Sequence, residues 1–290
     1  MSTALDVIDR LRNTRGFVFD MDGTLVLGDR RNKGLQPLPG AIALVSRLRE
    51  REVPFVVLTN GTTRVPADYA ETLRGLGFPV RDEMMLTPSA VAAEFLSRRK
   101  FKRALVLGGE GVWRPLEAAG IEILLPGKPS VEPGAVADAV YIGWFREFTM
   151  DDIEAACNAV WAGAKLFTSS MAPFFATANG RALGTSRAIC AMITSITGQR
   201  ATVLGKPALE ALRCAGRRLG ISPRQLAVVG DDPALEVPMA HRGGSMAIAV
   251  HTGIGDESAF ASLPPGQQPH LAVRNVAELL RILDELSPAG

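Results

Sequence analysis

The most constraining feature of this 290-residue chain is its alternation of short, continuous apolar runs with amphipathic stretches along nearly its whole length. A strand that is apolar on both faces is one covered from both sides, so the pattern predicts a parallel sheet flanked by helices. Phe17-Val18-Phe19 reads as a buried strand ending in Asp20, and Phe55-Val56-Val57-Leu58 as a second ending in Thr59-Asn60. Leu226 to Val229 is a third, running into Gly230-Asp231-Asp232. After Pro39-Gly40, residues Ile42, Leu44, Val45 and Leu48 fall on one helical face, and helical patterns recur at Pro66 to Leu76 and Ser89 to Arg98. Further strands are expected at Arg103 to Leu107, Ala139 to Ile142, Lys165 to Phe167, Ala201 to Leu204 and Met246 to Val250. Helices are expected at Met150 to Trp161, from Pro207 at its favoured first helical position, and at Val276 to Leu286. No internal repeat, low-complexity segment or Gly/Ser linker marks a boundary.

Composition narrows the function. With 47% hydrophobic and 21% charged residues the chain can bury an ordinary core. Its formal charge of +2 and its scattered basic residues argue against nucleic acid; Arg98-Arg99-Lys100 and Arg217-Arg218 read as solvated helix faces. Cys157, Cys190 and Cys214 are too far apart for a C-x-x-C pair, and the three histidines form no H-E-x-x-H pattern. Any metal must therefore rest on oxygen ligands. No apolar run approaches the ~20 residues of a membrane span. Met1 to Asn13 has no signal-peptide pattern, so a cytoplasmic protein with no membrane partner is expected.

The candidate chemistry lies at strand ends, where doubly wound sheets bind ligands. In Phe19-Asp20-Met21-Asp22-Gly23-Thr24, carboxylates at i and i+2 of extended chain point the same way, into one pocket. Gly23 permits close backbone approach and is expected to leave amide hydrogens for an anion. An ordinary capped turn would also produce Asp-x-Asp-Gly-Thr, but not directly after a continuous apolar strand. If a carboxylate is to meet a phosphate dianion, each like-charge pair at 4 Å costs roughly 4 kcal/mol at an effective dielectric of 20. Mg²⁺ on one or two carboxylates is the usual compensation. Asp231 is the natural second carboxylate, with Asp232 and Glu236 placed to orient metal-bound water; a helix cap is the competing reading of Asp231-Asp232-Pro233. Gly205-Lys206-Pro207, between a strand and a helix, is expected to supply a lysine at the same edge. Lys128, in the Pro-rich Gly127-Lys128-Pro129 loop, reads as solvated. Thr59, Asn60 and Gly61 offer a hydroxyl, an amide and permissive backbone for phosphate oxygens.

Taken in order, Asp20-Met21-Asp22-Gly23-Thr24, Thr59-Asn60, Lys206 and Gly230-Asp231-Asp232 resemble the haloacid-dehalogenase-like hydrolase superfamily. The long interval between Thr59 and Lys206 resembles the branch with a large α/β cap inserted there, which includes 4-nitrophenylphosphatases, phosphoglycolate phosphatases and pyridoxal phosphatases. Leu58-Thr59-Asn60-Gly61, Gly108-Gly109-Glu110-Gly111, Val140-Tyr141-Ile142-Gly143 and Leu204-Gly205-Lys206-Pro207 extend the match. The resemblance implies a Rossmann-like core of residues 1–99 and 201–290 with a cap of residues 100–200. It implies a Mg²⁺-dependent phosphatase acting on a small phosphorylated metabolite, with a homodimer as the allowed assembly. Asp20 would be the nucleophile and Asp22 the general acid and then base. Asp20, the Asp22 carbonyl and Asp231 would bind metal. Gly23, Thr24, Thr59, Asn60, Gly61 and Lys206 would surround the phosphoryl group. The chain departs from the branch at Gly61, where asparagine is common, and at Glu236, where aspartate is usual. It departs again in the cap, where Ser169-Ser170-Met171-Ala172 replaces Thr-Asn-x-Asp. The substrate-facing residues implied there are Ser170, Met171, Ala172 and Phe174.

Competing readings are weaker. A receiver domain is about half this length and lacks an acid two residues after its aspartate. Gly108-Gly109-Glu110-Gly111 lacks dinucleotide-binding spacing and reads as a loop. A hydrolytic dehalogenase has no use for Asp22. The rival from another class is a catalytically weak regulatory or binding protein on the same fold, prompted by the altered cap loop.

Overall fold

The computed structural model describes residues 4–28, 34–127, 136–177 and 180–286. The first part runs α1 (Ala4–Arg12), β1 (Gly16–Asp20), a short pair β2 (Val26–Leu27) and β3 (Gln36–Pro37), α2 (Ala41–Glu50), β4 (Phe55–Leu58), α3 (Pro66–Gly75), β5 (Met85–Leu86) and α4 (Pro88–Arg98). The inserted part contains β6 (Arg103–Leu107), α5 (Glu110–Ala118), β7 (Glu122–Leu124), β8 (Ala139–Ile142), α6 (Met150–Trp161) and β9 (Lys165–Thr168). It continues through β10 (Phe174–Thr177), β11 (Gly180–Leu183), α7 (Thr185–Thr197) and β12 (Thr202–Val203). The chain closes with α8 (Leu209–Leu219), β13 (Leu226–Gly230), α9 (Glu236–Gly243), β14 (Met246–Val250), α10 (Glu257–Ala261), β15 (Leu271–Val273) and α11 (Val276–Leu286).

Six strands form a parallel core sheet in the order β15-β14-β13-β1-β4-β5. Five form a separate parallel sheet, the cap, in the order β12-β9-β8-β6-β7. β10 and β11 make an antiparallel hairpin, as do β2 and β3. The α/β class expected from the alternation is the one observed.

Strand alternation divides the core sheet's two faces. Phe17 and Phe19 of β1 join Phe55, Val57 and Val229 in a cluster that receives Leu44, Val45 and Leu48 of α2 and Val276 and Leu279 of α11. Val18, Val56, Leu58 and Val228 face the other way, and their cluster does not stop at the core. It continues through Leu96 of α4 to Leu116 of α5, and on to Val106, Tyr141 and Phe167 of the cap sheet. The cap's far face is a third cluster, in which Leu105, Leu107, Val140 and Ile142 meet α6 and α7.

Several boundaries follow from capping. Thr87 accepts from Ala90 N at 3.2 Å and Pro88 occupies the first turn of α4. Thr149 and Asp152 form a reciprocal capping box at α6.

Three expectations are corrected. The helix after Lys206 begins at Leu209, not Pro207: the Lys206–Pro207 peptide is cis and Ala208 N donates to Gly205 O at 2.8 Å, so Pro207 belongs to a turn. The strand before Lys206 pairs with β9 in the cap sheet. Gly108-Gly109-Glu110-Gly111 is not all loop, because Glu110 and Gly111 open α5. Gly111 is needed there, since a Cβ would lie 2.5 Å from Arg64 N and 2.6 Å from Thr62 O. No helix among the described residues is long and apolar enough to cross a membrane.

Candidate active site

β1 lies between β4 and β13, the place in the strand order where the connections on its two sides diverge, and in such sheets ligands bind beyond the strands' carboxyl ends. Asp20 pairs with Leu58, and Phe19 with Val229. Asp20 therefore stands level with Leu58 and Gly230, while Thr59 and Asp231 extend one residue further.

The segment after Asp20 is a tight turn. Met21 O accepts from the amides of Leu25 and Val26, both at 3.0 Å, and Gly23 N donates to Val26 O at 2.8 Å. This corrects one expectation: the Gly23 amide closes the turn and is not left for an anion. The glycine is needed for two other reasons, its φ of +90° and the space beside it. A Cβ at Gly23 would lie 2.5 Å from Oδ2 of Asp231. Thr24 is fully buried. Thr59, also buried, donates from Oγ1 to Asp22 Oδ2 at 3.2 Å and accepts from Gly61 N at 2.9 Å. The hydroxyl of Tyr69 occupies the space a side chain at Gly61 would need, 2.4 Å from a built Cβ.

Lys206 enters from the cap side. Leu204 N donates to Thr168 O at 2.9 Å and Gly205 N to Ser169 O at 3.0 Å, so the lysine's loop abuts the start of the cap loop. Asn60 then clamps its backbone: Oδ1 accepts from Lys206 N at 2.8 Å and Nδ2 donates to Lys206 O at 3.1 Å. Asn60 was expected among the phosphate-facing groups, but both ends of its amide are engaged in holding the lysine. The ammonium, 3% exposed, donates to Asp20 Oδ1 and pairs with Glu236 Oε1 at 2.7 Å. Lys128 lies outside the described residues.

Asp231 is held by a segment that the sequence reading did not single out. Its Oδ2 accepts from Ile254 N at 2.7 Å, and its carbonyl accepts from Gly255 N at 2.8 Å. A Cβ at Gly253 would collide with the same carboxylate at 1.9 Å. Thr252 Oγ1 donates to Gly23 O, tying this loop to the first turn. The available signal was Thr252-Gly253-Ile254-Gly255, one residue beyond the end of the apolar strand β14. Asp232 accepts from Ala234 N at 2.8 Å, and its amide donates to Glu236 Oε2 at 3.1 Å. Asp232 is thus a turn-forming residue bonded to Glu236, which separately pairs with Lys206.

Burial sets the electrostatics. Asp231's carboxyl is pushed up to about 9 by burial first, then by the charges of Asp20 and Glu236, with the Ile254 amide opposing. Glu236 is pushed up to about 7 by burial; Lys206 pulls it down and Asp20 pushes it up. Burial would lower Lys206, but Asp20 and Glu236 outweigh it and hold the ammonium above its ordinary value. The site is thus short of positive charge for its carboxylates. Asp20 Oδ2 is buried and has no hydrogen-bond partner among the described residues. Among those residues no group of three or more His, Cys, Asp or Glu side chains is arranged to hold a metal. A sparser donor set, two carboxylates supplemented by main-chain oxygen, fits Mg²⁺, which keeps several of its waters.

The cap loop is anchored mainly to the cap. Ser170 O accepts from Ser186 Oγ at 3.1 Å, Ser170 Oγ accepts from Ala172 N at 3.1 Å, and Met171 O accepts from Arg187 Nη1 at 3.1 Å. Met171 is 37% exposed, while Ala172 and Phe174 are half-buried.

A family model described as haloacid dehalogenase-like hydrolase matches residues 17–122, and a HAD-hydrolase-like model matches residues 203–279. Chronophin of Rattus norvegicus is 29% identical over 292 residues, covering 97% of this chain and 91% of its own. A glycerol phosphate phosphatase from Mycobacterium tuberculosis, solved in complex with magnesium, is 25% identical with a TM-score of 0.78, covering 94% of this chain and 77% of its own. In fold, a 4-nitrophenylphosphatase from Thermotoga maritima superposes with a TM-score of 0.82 at 24% identity, covering 93% of this chain and 98% of its own.

Proposed function

Because the chain belongs to the haloacid-dehalogenase-like hydrolases, in the branch of NagD, chronophin and the 4-nitrophenylphosphatases, we propose that it hydrolyses small phosphomonoesters through an aspartyl-phosphate on Asp20. The observation that carries this reading is the buried pairing of Lys206 with Asp20 at the end of the central strand. One carboxylate oxygen is held by the ammonium, and the other has no hydrogen-bond partner among the described residues. That is how a nucleophile would be oriented while its charge is balanced.

Asp20 and Asp231, with the main-chain carbonyl of Asp22, would hold Mg²⁺, which when bound supplies the positive charge that lets an anionic nucleophile approach a phosphate. The remaining work falls to the chain. Lys206 faces both nucleophile and phosphoryl oxygens, positioned by Asn60 through its backbone and by Glu236 through its ammonium. Asp20 attacks phosphorus as the bond to the leaving oxygen breaks, and Asp22, oriented by Thr59, gives that oxygen its proton. Asp22 then takes a proton from water, whose oxygen attacks phosphorus and releases Asp20 and inorganic phosphate. Thr59, Thr24 and Gly61 line the phosphoryl position. Residues 1–99 and 201–290, apart from the strand Thr202–Val203 that joins the cap sheet, act as the catalytic core, and residues 100–200 as the cap that selects the leaving group.

The test is Asp20→Asn assayed with 4-nitrophenyl phosphate in Mg²⁺. The amide cannot attack phosphorus, so turnover should fall by roughly three orders of magnitude or more while circular dichroism is unchanged. Wild-type activity should vanish in chelator and return with Mg²⁺. A folded variant keeping more than a few per cent of turnover would refute Asp20 as the nucleophile. A wild-type chain with no turnover on any phosphomonoester would favour a binding protein.

A further inference from the structure

A second cluster of charge lies away from the acidic site, in a groove between α4 and α8. The groove measures about 370 Å³ and is lined by Phe95, Arg98 and Arg99 from the end of α4 and by Glu210, Arg213 and Arg217 from α8. Arg217 is a fixture of its wall. Its guanidinium spans Glu94 and Glu210, the latter at 2.7 Å. Arg99 lies over the face of Phe95, 4.4 Å from the ring centroid, which fixes its plane. Arg213 is 56% exposed and only 3.7 Å from Glu210, and Arg98 makes no ion pair among the described residues. Four arginines against two glutamates leave an excess of two positive charges.

Helix dipoles account for part of this set, because Arg98 and Arg217 stand in the last turns of their helices. They do not account for Arg213 in the middle of α8, nor for the convergence of two helices' arginines on one concavity. Guanidinium groups are the side chains suited to forked recognition of phosphate oxygens. The location is also particular. α8 begins three residues after Lys206, and α4 ends where the chain passes into the first cap strand, β6.

We propose that this groove is a binding site for a di- or polyphosphate anion, separate from the phosphoryl-transfer site. Arg98, Arg99 and Arg213 make the phosphate contacts, Arg217 is the fixed wall, and Phe95 holds Arg99 in position.

The probe is inorganic pyrophosphate, titrated calorimetrically into the full chain in metal-free buffer with chelator, where the phosphatase reaction does not consume it. The expected result is saturable binding to wild type, at least tenfold weaker in Arg98→Ala/Arg213→Ala. A control with the same charge change on other surfaces, Arg12→Ala/Lys165→Ala, should bind as wild type does. No saturable binding to wild type overturns the proposal. Equal affinity in the groove variant also overturns it, since the anion would then sit at the acidic site. Equal weakening in both double variants overturns it too, since net charge alone would be responsible.

Discussion

The two parallel sheets obey the same construction rules yet differ at their carboxyl edges. The core strands β1, β4 and β13 run out into Asp20, Thr59 and Asp231, with Lys206 brought in against them. The cap strands β6, β8 and β9 run out into Gly108-Gly109, Gly143-Trp144 and Ser169-Ser170. At the cap edge the two glycines flank Val112 of α5, whose Cγ2 lies 2.4 Å and 2.3 Å from where their Cβ atoms would be. One edge gathers charge and the other gathers close packing. Strand-end position by itself therefore does not gather charge; the residue types that follow each strand decide how its edge is used. Charge at the core edge is compensated only in part, by Lys206 pairing with both Asp20 and Glu236.

The sharpest way to break this contrast is to remove the compensating charge. Lys206→Ala should lower kcat on 4-nitrophenyl phosphate by about 10²–10³-fold, the scale seen when a preorganised charge-stabilising group is removed. It also leaves Asp20 and Glu236 facing each other without their cation. Denaturant unfolding should then show a loss of about 3–5 kcal/mol, the usual cost of breaking a buried pair. A variant near wild type in both rate and stability would mean the lysine is not what balances the core edge.

The cap edge should respond through packing instead. Gly111→Ala adds a methyl where Arg64 N and Thr62 O stand 2.5 and 2.6 Å away, and backbone atoms cannot yield as a flexible side chain would. Helix propensity favours alanine by about 1 kcal/mol, while overpacking costs about 1–3 kcal/mol. The net expectation is a destabilisation of up to about 2 kcal/mol, with a smaller change in kcat than for Lys206→Ala. An unchanged or raised unfolding midpoint would show that α5 has room to shift away from the core loop.

The smallest effect concerns selectivity and sits in the cap loop. By the resemblance, Ala172, beside exposed Met171, stands where the branch carries an aspartate, and a methyl there would offer no acceptor to polar substrate atoms. The chain should therefore turn over aryl or larger, less polar phosphomonoesters better than phosphoglycolate or glycerol phosphate. Ala172→Asp should move kcat/KM toward the polar esters by up to about tenfold. A wild-type preference for phosphoglycolate or glycerol phosphate across such a panel would sink this account of the loop and leave the core chemistry standing.

Much of this architecture was legible in the chain itself. Phe17–Phe19, Phe55–Leu58 and Leu226–Val229 are buried on both faces, and double-sided burial requires an unbroken apolar run, which is visible without coordinates. Polar residues can return only where such a run ends, so Asp20, Thr59 and Asp231 announced themselves together at one edge. What the sequence could not determine is which distant groups engage them. Asn60 clamps the Lys206 backbone across 146 positions, Glu236 holds the ammonium, and the amide of Ile254 holds Asp231. The short strand Thr202–Val203 gives no sign in its own residues that it pairs with the cap sheet. Those choices depend on the folded path of the chain. A hydrogen bond or ion pair is specified by the positions of two groups in space, whereas an apolar run is specified by neighbours along the chain.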